Sequence, residues 1–164
     1  MVALRLIRLI EAHSDQISRE LAAKIRSSSR TRHMQKIAEP ELLAVLQELL
    51  QHLSEWLLTK TEGDVQKRYT EMATRRARHG VPISESCWAV VFTKEYLWDF
   101  LQKQGFLRNP MELYGEIELL CLLNQFFDRA LCYMAEGYEQ MRPSINSETI
   151  RKKGREINLA AFVP

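Results

Sequence analysis

Apolar residues recur along nearly the whole chain with a helical period. In residues 3–26, Leu6, Ile7, Ile10, Ile17, Leu21 and Ile25 fall at spacings of mainly three, four and seven. That pattern puts them on one stripe of one long helix. Ser27-Ser28-Ser29 ends it, because serine hydroxyls compete for backbone hydrogen bonds and favour caps. Arg30 to Ala38 is short and basic, with room for one or two helical turns. Pro40 suits the first position of the next helix, where an amide N–H would be unpaired anyway. From Glu41 to Thr59 the leucines, with Val45 and Trp56, cover a wide arc, so this helix should be buried on more than one side.

Thr61 and Asp64 resemble a capping box and open the most polar helix, Glu62 to His79. Val65, Tyr69, Met72, Ala73 and Arg76 form its inward stripe. Gly80 can take the left-handed conformation that closes a helix, and Pro82 prevents continuation. Ser84 is the expected cap of the next helix, with Ile83 packing back as a staple. On that helix, 84–104, Trp88, Val91, Phe92 and Glu95 share a face, and Gly105 ends it. Asn109-Pro110 opens the last helix, 110–141, whose run from Ile117 to Met134 is apolar almost all round, and Pro143 is expected to stop it. The basic stretch Arg151-Lys152-Lys153-Gly154-Arg155 belongs to a tail expected to be mobile or weakly helical. No period-two alternation and no Asn-Gly or Asp-Gly hairpin occurs. The prediction is an all-α fold of about five long helices and one short one, with no sheet. Residues 1–142 form one domain and 143–164 a basic C-terminal tail.

Composition narrows the function by exclusion. A chain of 164 residues is the size of one domain with its own core. The net charge of +2 selects no partner, although residues 1–38 hold eight Lys/Arg against three acids. Cys87, Cys121 and Cys132 form no CxxC pair and read as buried, reduced thiols of a cytoplasmic protein. Arg5, Arg8 and Glu11 break the N-terminal apolar run, so no signal peptide is expected. No stretch of 18 uncharged apolar residues exists, so no membrane span is expected.

Candidate chemistry is sparse. His13, His33, His52 and His79 have no second His or Cys at ligand spacing, so no metal site is expected. There is no nucleophile elbow and no phosphate-binding glycine loop, so the chain does not read as an enzyme and no catalytic residue is assigned. Glu85 and Glu95 read as helix-start and solvent-face carboxylates. Lys67, Arg68, Arg75, Arg76 and Arg78 make one basic helix, but without interleaved aromatics or helix-turn-helix spacing, so no nucleic acid is expected. Arg76 is set apart by sharing the inward stripe with Tyr69 and Met72. A partly buried arginine needs a carboxylate, a carbonyl or a bound anion, supplied first by an internal salt bridge or else by a ligand headgroup. The aromatics Trp56, Tyr69, Trp88, Phe92, Trp98, Phe126 and Phe127 either fill the core or line a cavity.

Several words in the chain carry a resemblance. SRTRHM at 29–34, LSEWL at 53–57, RYTEMATRRARHGVPISE at 68–85 and WAVVFTKEYLWDFL at 88–101 resemble the N-terminal domain of RsbT co-antagonist (RsbRD-type) regulators. The likeness covers roughly residues 5–140. It implies a non-heme, globin-like relative of globin-coupled sensors. Heme-binding relatives carry their proximal histidine four residues before the glycine of a similar Gly-x-Pro turn, and Arg76 stands there. Arginine stays protonated and does not ligate iron in ordinary heme sites. His79 lies about 300° around an ideal helix from Arg76 and does not substitute for it.

The resemblance therefore implies a cytoplasmic sensor in bacterial stress signalling, with no heme and a pocket open to a fatty acid or other small acid. The expected walls are Trp56, Tyr69, Met72, Trp88, Phe92 and Phe127, with Arg76 as the polar anchor. It also implies a homodimer joined through helices 84–104 and 110–141. No output domain is expected in the residues after Pro143, so the domain is expected to act as a dimeric partner or through another chain. The alternative is a purely structural protein–protein interaction module with a solid core and no ligand. A residual heme site is the weakest expectation.

Overall fold

The computed structural model describes residues 2–104 and 110–160, with side chains described as far as residue 142. Gly105, Asn109 and the basic side chains of the tail lie outside the described residues. The chain is all-α, and no strand occurs among the described residues. In order, the α-helices are α1 (Ala3–Ala12), α2 (Ser14–Ser27), α3 (Glu39–Gln51), α4 (Leu53–Leu58), α5 (Glu62–Arg78), α6 (Ile83–Lys103) and α7 (Pro110–Ala160). A 3-10 segment, Ser29–Lys36, joins α2 to α3.

The long helix expected over 3–26 is two helices, because the chain kinks at His13, where φ is −106° and ψ 13°. The His13 ring nitrogen Nδ1 faces the Leu9 carbonyl at 2.9 Å, and the His13 amide is shared between the Leu9 and Ile10 carbonyls. The helix expected over 41–59 breaks likewise at His52. Glu11, on α1, accepts the freed Ser54 amide at 2.8 Å. In both cases the break keeps the apolar phase, so periodicity does not register it.

The Thr61–Asp64 capping box is present, with both reciprocal bonds made. At the other end of α5, Gly80 has φ +72°. The Gly80 amide donates to Ala77 O and the Val81 amide to Arg76 O, each at 3.0 Å, which is the Schellman closure. Ser84 is not the cap of α6: Pro82 stands at that position and no side chain caps it. Ile83 is exposed, and Val81 is the turn residue that packs inward.

Nor does Pro143 stop α7, which stays helical to Ala160. Proline deletes one amide donor, and helical turns on both sides hold the backbone in register across it. α7 packs most extensively along α5. Gly137 permits the close approach, since a Cβ there would lie 2.7 Å from the Cβ of Ala73. Two apolar clusters result. One joins α1, α4, α5, α6 and α7, with Ile17 of α2 and Leu49 and Leu50 of α3, around Phe127, Leu97 and Met134. The other joins α2, the 3-10 segment, α3 and α6 around Met34, Leu21 and Phe92.

Candidate functional site

The inward stripe of α5 is buried as its spacing predicts, Arg76 included. Arg76 is 8% exposed and forms no hydrogen bond or ion pair from its guanidinium among the described residues. Burial pushes its pKa down, and the Tyr138 and Tyr69 hydroxyls oppose that shift. The exposed Glu41 carboxylate also opposes it, more weakly. Among the described residues no Arg76 nitrogen is both fully buried and unpartnered, so the guanidinium keeps a narrow contact with solvent.

Two small cavities flank it. One, of about 30 Å³, lies among α3, α5, α6 and α7 and is lined by Tyr69, Met72, Arg76 and Phe127, with Leu46 and Val90. The other, of about 20 Å³, is lined by Arg75, Arg76 and His79 opposite Glu41 and Leu42. A wider groove of about 430 Å³ runs between α3 and α5 over Trp56, Met72, Arg68 and Ala44. Burial raises the pKa of Tyr69, while the neighbouring guanidiniums pull it down.

The expected walls divide into three sets. Tyr69, Met72, Arg76 and Phe127 meet at the inner cavity. Trp56 lies in the groove instead, its indole N–H donating to Glu48 at 3.1 Å and the Arg68 guanidinium 4.7 Å from its ring. Trp88 and Phe92 line neither cavity nor the groove. Phe92 packs in the α2–α3 cluster, and half-buried Trp88 lies beneath Arg30, whose guanidinium is 4.1 Å from the ring. The buried residues of α6 include the small Ser86, Ala89 and Thr93 beside the larger Val90, Phe92, Leu97, Phe100 and Leu101. His79 is exposed, its Nδ1 turned to the Arg75 carbonyl at 2.8 Å. The cysteines are free but not all buried: Cys87 is half-buried, and Cys121 and Cys132 are exposed. They lie on arcs of α6 and α7 that a single chain leaves partly or wholly uncovered.

Residues 15–152 match the family described as the RsbT co-antagonist protein RsbRD N-terminal domain. The chain belongs to that family. This RsbRD N-terminal domain is accordingly a regulatory signal-transduction domain of the stress-response type. No curated protein and no solved structure matches the chain significantly.

Two of the domain's sequence words meet in space through a residue that sequence reasoning left on the surface. Glu85, at the end of the Gly-Val-Pro-Ile-Ser-Glu turn, is 8% exposed. Its carboxylate accepts the amides of His33 at 2.8 Å and Met34 at 3.3 Å. The His33 ring lies 2.7 Å from the other carboxylate oxygen. Thus the first turn of α6 holds the 3-10 segment of the Ser-Arg-Thr-Arg-His-Met word. The adjoining Ser86 shares the hydroxyl of Tyr138, which donates to Val81 O at 2.8 Å. The α5–α6 turn is thereby tied to the 3-10 segment on one side and to α7 on the other.

Among the described residues no helix is long and apolar enough to cross a membrane.

Proposed function

We propose that this domain is a heme-free, globin-like, non-enzymatic sensor that binds a small apolar acid at Arg76 and acts as a homodimer. The observation that carries the ligand reading is the Arg76 side chain, 8% exposed beside two cavities and without an ion pair among the described residues. A carboxylate arriving there gains charge-assisted hydrogen bonds and relieves an uncompensated charge in one step. A cytoplasmic setting and a partner protein in the signalling pathway complete the reading.

Native mass spectrometry of protein purified without removal of bound lipids tests it. The expected result is one co-purifying acid per chain, absent from Arg76→Gln. Repeated preparations with no adduct in the wild type would overturn it. The small volumes of the two cavities favour the competing module reading, which repeated absence of an adduct would support.

The dimer rests on the N-terminal half of α7. Leu113, Tyr114 and Ile117 are exposed there, at 48%, 63% and 52%. Val91 and Trp98 on α6 are half-exposed alongside, where Lys94 reaches Asp128 at 3.6 Å. An apolar strip of this kind is costly to leave in water. Ile117→Asp is expected to convert a dimer to a folded monomer in sedimentation velocity. An unchanged sedimentation coefficient would remove this face from the interface.

A further inference from the structure

We infer that the end of the domain where α5 closes is a docking face for an acidic segment of a partner protein, whose apolar side chains sit in a groove at the α5–α6 turn. This takes up the partner protein of the proposed function and stands independently of any acid at Arg76.

The groove, of about 350 Å³, opens between the turn and α7. Ala77, Val81, Pro82, Ile83 and Met141 supply its apolar lining, and Ile83 is 37% exposed. The turn is braced from behind. The Val81 amide donates to the Arg76 carbonyl, and the Val81 carbonyl accepts the Tyr138 hydroxyl. Glu85 holds the first turn of α6 against the 3-10 segment. The recess is therefore preformed, so a side chain enters it without the cost of ordering a loop.

Cations surround this recess. Arg142 lines it, and Arg78 follows Ala77 at its edge. A Cβ on Gly80 would lie 3.3 Å from the Lys36 Nζ, so Lys36 reaches over the turn from the 3-10 segment, which also carries Arg32. Arg32, Lys36, Arg78 and Arg142 are exposed, and none of them forms an ion pair among the described residues. Elsewhere Arg8, Lys60, Arg68, Lys94 and Arg129 each meet a carboxylate. Of the acids at this end, Glu85 is taken by His33 and Met34, and Glu39 faces Arg26. Glu139 lines the groove and Glu41 stands near His79, which leaves the cations in excess.

The combination selects the class of partner. Rim cations steer and orient an acidic surface more than they hold it. Affinity then comes from apolar side chains leaving water. Nucleic acid fits less well: the lining is aliphatic apart from Tyr138, whose hydroxyl is already bonded, and offers no stack of aromatic rings for bases.

Fluorescence anisotropy of the full chain at physiological ionic strength tests this with a labelled synthetic peptide, glutamates flanking a central Leu-Phe pair. A second peptide carries Ser-Ser in place of Leu-Phe. A duplex oligonucleotide and phosphatidylglycerol vesicles serve as competitors. The variants are Ile83→Ser and the double reversal Arg78→Glu with Arg142→Glu. Arg19→Glu with Lys103→Glu is the control, making the same change of net charge near Glu20 instead. All these side chains are exposed, and circular dichroism confirms that each variant is folded. The expected result is saturable binding of the Leu-Phe peptide, about tenfold weaker for Ser-Ser and about tenfold or more weaker in the double reversal. Ile83→Ser should bring the Leu-Phe peptide down to the Ser-Ser level, and the control should bind as wild type does. No binding to wild type, equal binding of Ser-Ser, or an equal loss in the control would overturn the inference. Displacement by the oligonucleotide or the vesicles at lower concentration than unlabelled peptide would assign the face to nucleic acid or lipid and overturn it too. Each such failure leaves the Arg76 reading standing, because Arg78, Ile83 and Arg142 line neither cavity beside Arg76.

Discussion

Glu85→Ala is expected to destabilise the fold by roughly 3–5 kcal/mol, the usual cost of removing one member of a buried, hydrogen-bonded charged group. The loss follows from what is left behind. The amides of His33 and Met34 donate to this carboxylate, and Met34 is fully buried. Without it, both are left without that acceptor, in a segment too short and irregular to hold itself. Thr31, in the middle of that segment, departs from helical geometry at φ −133° and ψ 40°. The remaining ties are the buried Met34 side chain, the Thr31 hydroxyl donating to the Ile25 carbonyl, Arg26 to the Ile37 carbonyl at 2.8 Å, Gln35 to the Arg26 carbonyl at 2.9 Å, and local backbone bonds. Chemical denaturation measures the effect, and the melting temperature should fall by about 10 °C for a chain of this size. Glu85→Gln keeps one acceptor oxygen and should lie between the two. A loss below about 1 kcal/mol for the alanine variant would mean that the 3-10 segment is held by its own bonds.

That carboxylate also marks where sequence reading stops. The stripe Val65, Tyr69, Met72, Ala73 and Arg76 was legible because α5 is polar elsewhere, so its few apolar positions leave one choice of face. The Schellman closure at Gly80 was legible because it is chemistry local to four residues. α6 was not, because apolar residues cover most of its circumference. Size then misleads: Trp88 and Phe92 look like cavity walls, whereas Ala89, Val90 and Thr93 line the inner cavity and Phe92 fills the neighbouring cluster. The kinks at His13 and His52 preserve the apolar phase, and Glu11 supplies the Ser54 amide from 43 residues away. Glu85 belongs to the same class. Its partners are on another segment 52 residues earlier, and no local pattern separates a clamping glutamate from a first-turn glutamate that complements the helix dipole.

Arg76→Met is expected to move stability the other way, raising that of the ligand-free domain by roughly 1–4 kcal/mol. Methionine keeps an unbranched side chain of similar reach and removes a charge for which the described residues supply no counter-ion. Burial already drives the pKa of this guanidinium downward, the sign of a cation held against its solvation preference. The ordinary expectation for a buried arginine is the reverse: deleting it strands a carboxylate and costs several kcal/mol. The sign of the change therefore separates a structural arginine from one kept for a ligand.

A second measurement closes the argument. Wild type with an acid at a hundred times its dissociation constant gains about 2.7 kcal/mol by mass action, and Arg76→Met should gain nothing. The ligand-bound wild type should then come within about 2 kcal/mol of Arg76→Met. Such a domain sits at reduced stability until its signal arrives, which is the trade between stability and function expected where a site is built around an unsatisfied group. Destabilisation of Arg76→Met in the absence of any acid would show that the guanidinium serves the fold, and the sensor reading would lose its central residue.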